Sequence, residues 1–408
     1  NERSTMKLFQ KLLLAPAALG LFAPIAANAN ESNFRDVTSY TQDQVQVSLD
    51  TFKPLSSKNP LLAGGEGHNS NQSNDFDVDT FSATTTAAFT TNFAIGKQEG
   101  GTTDPVVANF DYEVALSSSF TGNDSLDVVF QAGKSKGYTE LDMTDNLTLQ
   151  VDSISYASTL GERLSTSVAF GEGAAGSSLY NTACVYGAQT DTFSDCGVSA
   201  ANVDEGLGVA LGASFDIGNG FTAALAYEGE GTTKGLSSKE SVDAFGAQVA
   251  YSGDSFGASI SWANIENHST SAAGVDTVTT GSGDGQTQSI GFNAYYTPDL
   301  PNFPSISAGL ETNHDDSVAG TTADQTSHYF VGLQWDEILD GTFGAAIGSK
   351  QPYRENDDSF TMYELFYSFE YADGITITPI IYSKDNNKHS TATGADETGV
   401  IVKTTFNF

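Results

Sequence analysis

Long apolar runs are almost absent from this chain. Past residue 29 no stretch reaches the ~20 apolar residues that a membrane-crossing helix needs, which argues against a helical membrane protein. Basic residues are scarce: 17 Lys and Arg stand against 51 Asp and Glu, a formal charge of −34. Such a balance argues against nucleic acid and anionic surfaces as partners. Cysteine is limited to Cys184 and Cys196, with no histidine beside them for a zinc site. The five histidines (His68, His268, His314, His328, His389) are scattered without ligand spacing. Asp75-Phe76-Asp77-Val78-Asp79 has a calcium-like rhythm but lacks the glycine and distal glutamate of a real loop. No nucleophile motif, phosphate loop or paired catalytic carboxylate stands out. Neither an enzyme nor a cofactor or metal is therefore expected.

What is present begins with an export signal. Met6, Lys7 and Lys11 open a short basic region, an apolar run covers 12–27, and Ala27-Asn28-Ala29 offers a small-x-small cleavage site. The run carries Pro16 and Pro24 and is too short to span a bilayer. Residues 1–29 read as a signal peptide starting at Met6, and removing them leaves a chain still more acidic. Residues 30–75, rich in Asn, Ser, Asp and Gly, read as a flexible periplasmic extension. Residues 76–408 form the remaining domain. In an exported protein the two cysteines suit a loop-closing disulfide, with two free thiols as the alternative.

From Phe81 onward the sequence alternates with period two, the mark of half-buried strands. Phe256, Ala258, Ile260 and Trp262 alternate with Ser255, Gly257, Ser259 and Ser261. Tyr363, Leu365, Tyr367, Phe369 and Tyr371 oppose Glu364, Ser368 and Glu370. Such segments begin near 81, 107, 125, 147, 163, 207, 220, 242, 255, 287, 304, 326, 341, 359, 374 and 398. Each is close to the ~9–11 residues of a tilted transmembrane strand. Short connections, such as Gly218-Asn219-Gly220 and Ser252-Gly253-Asp254, alternate with long polar ones, including 134–146, 171–206 and 264–286. Tight turns at one end and long loops at the other describe a transmembrane antiparallel β-barrel of about sixteen strands, all-β, with short periplasmic turns and long external loops. In lipid a sheet must close on itself, because every backbone polar group needs a partner. Tyr227, Tyr251, Trp262, Tyr296, Trp335, Tyr371 and Tyr382 suit interfacial aromatic girdles.

With bulky apolar side chains facing lipid, alternation sends Asp111, Glu113, Asp127, Asp152, Glu228, Glu364 and Glu370 to the inner wall. Against them stand Arg163 and Lys403. Carboxylates around a pore concentrate cations and repel anions, an effect weakened by salt. A one-residue slip in any strand would reverse its assignment.

Several segments resemble the porins of cyanobacterial outer membranes, related to the carbohydrate-selective OprB-type porins. They are Pro304-Ser305-Ile306-Ser307-Ala308-Gly309, Tyr329-Phe330-Val331-Gly332-Leu333-Gln334-Trp335, Gly374-Ile375-Thr376-Ile377-Thr378-Pro379 and the closing Val402-Lys403-Thr404-Thr405-Phe406-Asn407-Phe408. The S-layer-homology module usual in that family is not found, and Phe34-Arg35-Asp36-Val37 is at most a faint echo of it. The resemblance implies an outer-membrane homotrimer passing small ions and polar solutes, surrounded by outer-membrane lipid. It also implies that Phe406 and Phe408 form the signal read by the barrel-assembly machinery. Carbohydrate or iron preference stays open. Tyr295 and Phe366 are the only aromatics placed inward, which leans toward ions. The resemblance further implies that the loop 171–206 folds inward as a constriction. That loop carries Glu172, Asp191, Asp195, Asp204 and Glu205 with no Lys or Arg, and a Cys184–Cys196 bridge would stiffen it. The alternatives are a solvated external loop and, for the whole chain, a secreted β-rich adhesin.

Overall fold

The computed structural model describes residues 85–100, 105–135, 140–231, 235–238, 241–267, 285–315, 324–349, 353–354, 361–385 and 396–408. The expected signal peptide, the extension 30–75, the Asp75-to-Asp79 stretch, His268 and His389 lie outside the described residues.

Period-two alternation becomes one continuous antiparallel sheet. Its strands are β1 (Thr85–Glu99), β2 (Val106–Ser118), β3 (Asp124–Lys134), β4 (Gln150–Leu160), β5 (Leu164–Gly171), β6 (Val209–Gly218), β7 (Phe221–Gly229) and β8 (Asp243–Ser252). They continue as β9 (Phe256–Asn267), β10 (Gly285–Tyr296), β11 (Ser305–Asp315), β12 (Asp324–Ile338) and β13 (Gly341–Ser349). β14 (Tyr353–Arg354), β15 (Thr361–Ala372), β16 (Ile375–Lys384) and β17 (Glu397–Asn407) complete the series. Each long strand pairs with its chain neighbours, and β1 pairs with both β2 and β17. Sixteen strands thus close a barrel. β14 is a two-residue addition to β12 inside the connection 350–360.

Closure satisfies the ladder all round and leaves no sheet edge. Outward positions carry Phe93, Ile95, Leu225, Ile260, Phe292, Leu310 and Val400, all exposed. The inward partners of the same strands include Ala94, Ala224, Ser259, Asn293 and Ile401, all buried. A closed wall with an apolar exterior suits lipid and would be a liability in water.

The turns are chemically explicit. Gly218, Asn219 and Gly220 all have positive φ, which glycine and asparagine tolerate, so the chain reverses there with no longer loop. Loop lengths alternate less strictly than the sequence suggests. The turn-side connection 297–304 is longer than 100–105 at the other end. It holds Pro298, Pro301 and Pro304, which lack the N–H a ladder needs.

Candidate functional site

The connection 172–208 between β5 and β6 lies along the inner wall. Its outgoing limb is extended, and alternate backbone N–H groups are received by side chains of five strands between β8 and β15. Asn181 donates to Gln248 Oε1 on β8 at 2.6 Å, Ala183 to Ser259 Oγ on β9 at 3.0 Å, and Val185 to Ser307 Oγ on β11 at 3.0 Å. Gly187 follows to Gln334 Oε1 on β12 at 2.8 Å, and Gln189 to Glu364 Oε2 on β15 at 3.1 Å. The return limb retraces this path. Asn293 Nδ2 on β10 donates to the Asp195 carbonyl at 3.0 Å, Ala201 N donates to Glu311 Oε2 on β11 at 3.0 Å, and Ser261 Oγ on β9 donates to Asn202 Oδ1 at 3.0 Å. At the foot, Glu228 on β7 accepts from Gly176 N at 2.7 Å and from Glu205 N at 3.0 Å. Buried backbone N–H groups need acceptors, and the inner wall supplies them as Ser, Gln and Glu side chains. The described course of 172–208 therefore follows inward-facing side chains of the wall.

Apolar packing holds the tip. Phe193, Tyr186 and Leu141 bury themselves against Phe330, Met362, Phe366, Ile380, Tyr382 and Ile401 of the wall. Phe193 and Phe330 have ring centroids 5.1 Å apart, and Tyr186 lies 5.4 Å from Phe330. Full burial of such side chains contributes roughly 1.5–3 kcal/mol each. One side of the interior is therefore a filled core. Cys184 and Cys196 are joined across the two limbs, with Cα atoms 6.0 Å apart. Val203, fully buried, sits at φ +54, an uncommon backbone for a β-branched residue.

His328, on β12, lies with Nδ1 2.7 Å from the Gly197 carbonyl oxygen and with Nε2 against the Ser349 carbonyl oxygen. It ties the return limb to two strands at once. At Gly309 the wall approaches the loop so closely that a Cβ would meet the Cys196 carbonyl oxygen. Gly309→Ala is expected to push the return limb off the wall, with an overpacking cost of roughly 1–3 kcal/mol. Thermal melting of the detergent-solubilised barrel and protease access to 172–208 read this; unchanged values in both would refute the close approach.

Free space remains beside the apolar core and includes cavities of about 480 and 290 Å³. Both are lined by Asp142, Tyr186, Asp191, Ser194 and Asp195. Asp204 lines the first and Lys403 the second. Of the acidic loop residues named from the sequence, Asp191, Asp195 and Asp204 are thus brought together. Glu205 is exposed nearby, while Glu172 stays at the loop's foot and lines neither cavity. Enclosure within the barrel pushes the Asp195 carboxyl up to about 6, against the hydrogen bond from Asn202, with the Asp204 and Glu311 charges adding to the rise. Partial desolvation inside the barrel, with neighbouring carboxylates adding to it, raises Asp204 and Glu205 in the same direction although both side chains keep solvent contact.

The other wall residues divide. Asp111 accepts from Asn92 Nδ2 at 2.9 Å, Asp127 from Ser125 Oγ at 2.7 Å and Asp152 from Gln131 Nε2 at 2.5 Å; with Glu113 they line β2–β4. Asp152 shares the parity of the outward Ile154 and Tyr156, but a register shift between β3 and β4 returns it inward. Glu228 and Glu364 are fully buried and act as acceptors for the loop, not as open wall charges. Arg163 is exposed in the turn 161–163 and belongs to no strand. Glu370 is exposed near the turn end of β15. Tyr382, expected in a girdle, is fully buried inside and donates to Gln98 Oε1 at 2.7 Å. Sequence reasoning did not find Asp142, Glu311, His328 or the serines at 259 and 307. Inward serine parity was the one available signal.

The outer face of the seam carries Phe406, whose ring lies 5.6 Å from Phe93, and Phe408, stacked on Phe89 at 5.4 Å. Among the described residues no cluster of His, Cys, Asp and Glu is arranged to hold a metal ion.

No known protein family matches the sequence, and no curated protein does. Solved structures do. The chain is similar to the anion-selective porin from Comamonas acidovorans, at 15% identity and TM-score 0.57, covering 79% of this chain and 99% of that one. It is also similar to a loop-deletion mutant of OmpT, an outer membrane protein of Vibrio cholerae (9% identity, 80% and 100% covered, TM-score 0.56). Pseudomonas putida OprB is a third (12% identity, 80% and 94% covered, TM-score 0.52). The structural neighbours are bacterial outer-membrane porins, and at these identities the likeness establishes a shared barrel fold.

Proposed function

We propose that this chain is an outer-membrane porin: a water-filled, cation-preferring channel for inorganic ions and small hydrophilic solutes. The observation that carries this reading is the cluster of Asp142, Asp191, Asp195 and Asp204 around the free space beside the inward loop, with Lys403 the one basic residue among the lining groups. Asp111, Glu113 and Asp152 extend the negative charge along the facing wall. Ions passing between two acidic surfaces are selected for positive charge. The Comamonas neighbour is named for anion selectivity; a shared barrel does not carry selectivity, which resides in the side chains of the aperture.

The rest of the reading follows the resemblance noted from the sequence: relation to the OprB-type porins of cyanobacteria, assembly as a homotrimer, export by the leader 1–29, and recognition of Phe406 and Phe408 by the assembly machinery. Among the described residues, Tyr180 and Tyr186 are the only aromatic rings lining the two cavities, too few for an extended sugar rail, which supports ions over sugars. Phe330, Phe366 and Tyr382 are spent on the core that holds the loop and do not line the free space as a rail for sugar rings.

Bilayer recordings in a salt gradient test the proposal. Ohmic openings with a cation-selective reversal potential at pH 7 are expected. The raised carboxyls add a sign: protonation removes negative charge, so cation preference should fall as pH drops through about 6. Ordinary carboxylates would hold it until about pH 4. Chloride preference at pH 7 would reject the reading.

A further inference from the structure

The connection 135–149, between β3 and β4, reads from its sequence as one more polar external loop, yet Glu140 is fully buried and Leu141 nearly so. In the sheet, β2, β1 and β17 lie between β3 and β16, yet Glu140 meets β16. There Glu140 Oε1 lies 2.8 Å from Lys384 Nζ, which also lies 2.8 Å from Glu397 Oε1 of β17. The second Glu140 oxygen accepts from Thr192 Oγ1 at 2.6 Å, and the Glu140 carbonyl accepts from Asp191 N at 3.0 Å. One residue of this loop is thus joined both to the barrel wall and to the tip of the loop 172–208. Leu141 enters the apolar core beside Tyr186 and Phe193. Four residues past Glu140 the chain is held again: Thr144 Oγ1 donates to Gln131 Oε1 at 2.5 Å and Thr144 N to Asp111 Oδ2 at 3.3 Å.

Between these two fixed points Asp142 is exposed and lines both cavities. Its charge acts on Asp204 across the space and on Asp111, Asp152 and Lys403 of the wall. We propose that this second loop forms the other rim of the aperture, that Asp142 is a selectivity-determining residue, and that Lys384 is the positioning residue that sets Asp142 by holding Glu140. The proposal rests on the channel reading above. It goes beyond that reading in assigning the geometry of the aperture to a buried ion pair remote from the permeating ion. A charge pair suits this task, because a buried carboxylate without its partner is strongly disfavoured, so the loop has one favoured position.

The test uses the full chain with Lys384→Met, Glu140→Gln and Asp142→Asn, each checked for heat-modifiable migration as a sign of a folded barrel. Two readouts are taken. Trypsin acts at Lys134 and Lys136 where the loop begins, and cleavage tracks the opened population, so Lys384→Met and Glu140→Gln are expected to be nicked roughly tenfold faster. In bilayers the same two variants should show larger, noisier openings with weaker cation preference. Asp142→Asn should keep its protection but lose about twofold in cation-over-anion permeability, the effect of one screened charge beside the path. Should Lys384→Met fail to fold, Glu140→Gln, nearly identical in shape, carries the test. Faster cleavage with unchanged conductance and selectivity would mean that the loop is held but is no rim, which overturns the proposal. Unchanged cleavage in both clamp variants overturns it as well. A wild-type barrel that inserts and passes no current overturns the channel reading, and the proposal with it; conduction with unaltered variants overturns the proposal alone.

Discussion

Combining Asp191→Asn, Asp195→Asn and Asp204→Asn is expected to reduce the cation-over-anion permeability ratio roughly tenfold at low salt. A unit charge a few ångströms from an ion in water contributes about 0.5 kcal/mol after screening, and three such charges sum to about one decade. The substitutions keep size and hydrogen-bonding shape, so conductance in symmetric salt should change far less than the reversal potential. The loop should stay in place, because its attachment runs through backbone N–H groups of Asn181, Ala183, Val185, Gly187 and Gln189 and not through these carboxylates. Raising the ionic strength should shrink the difference between variant and wild type. A triple variant with an unaltered reversal potential would remove the loop carboxylates from the permeation path.

Freeing the loop should give the opposite signature, a larger conductance with poor selectivity. Glu228→Ala removes the acceptor of Gly176 N and Glu205 N, and Glu364→Ala removes that of Gln189 N and of the Tyr186 hydroxyl. Each substitution leaves buried donors unsatisfied, at about 1–3 kcal/mol per group. Together they release both the foot and the tip of the loop, while its middle keeps its bonds to β8, β9 and β11. Frequent substates are the expected record, together with protease access to 172–208 in a barrel that still migrates as folded. Openings as quiet as wild type would show that the apolar core around Phe193 and Phe330 suffices to hold the loop.

Most of the wall was legible in the sequence, because a strand between lipid and water writes its two faces in alternate residues. Phe256, Ala258, Ile260 and Trp262 lie on β9 as read, and the observed strands begin within a few residues of the expected positions. The reading failed where the interior is not water. Tyr382 and Ile380 point inward because the loop 172–208 brings an apolar surface to them, and a rule that sends every bulky residue to lipid cannot anticipate that. Glu228 and Glu364 are buried acceptors whose partners come from a segment up to 178 residues away in sequence, which alternation along a strand does not reveal. The acidity of that loop was visible. The inward turn of 135–149 was not, since Glu140 and Leu141 look like ordinary loop residues until Lys384 and Phe193 are beside them.

The seam between β1 and β17 has a consequence for how the molecule is made. Apart from the pairings around the two-residue β14, every other ladder joins strands consecutive along the chain, so each can begin as a hairpin with a far smaller entropy of closure. The seam pairs Thr90 with Asn407, 317 positions apart, and its bonds between Phe89 and Phe408 run in both directions at 3.0 and 3.1 Å. Contacts of such separation form late, after the intervening chain is ordered. Until then β1 and β17 are bare edges, open to pairing with other molecules. The loop 172–208 takes its side-chain acceptors from β7 to β15, with β16 and β17 adding apolar contacts, so it can begin to dock in the unclosed sheet and filling of the interior is expected to start before the seam is sealed. The expected order of birth is therefore hairpins, then contents, then closure, with the Phe89–Phe408 stack as the last contact made.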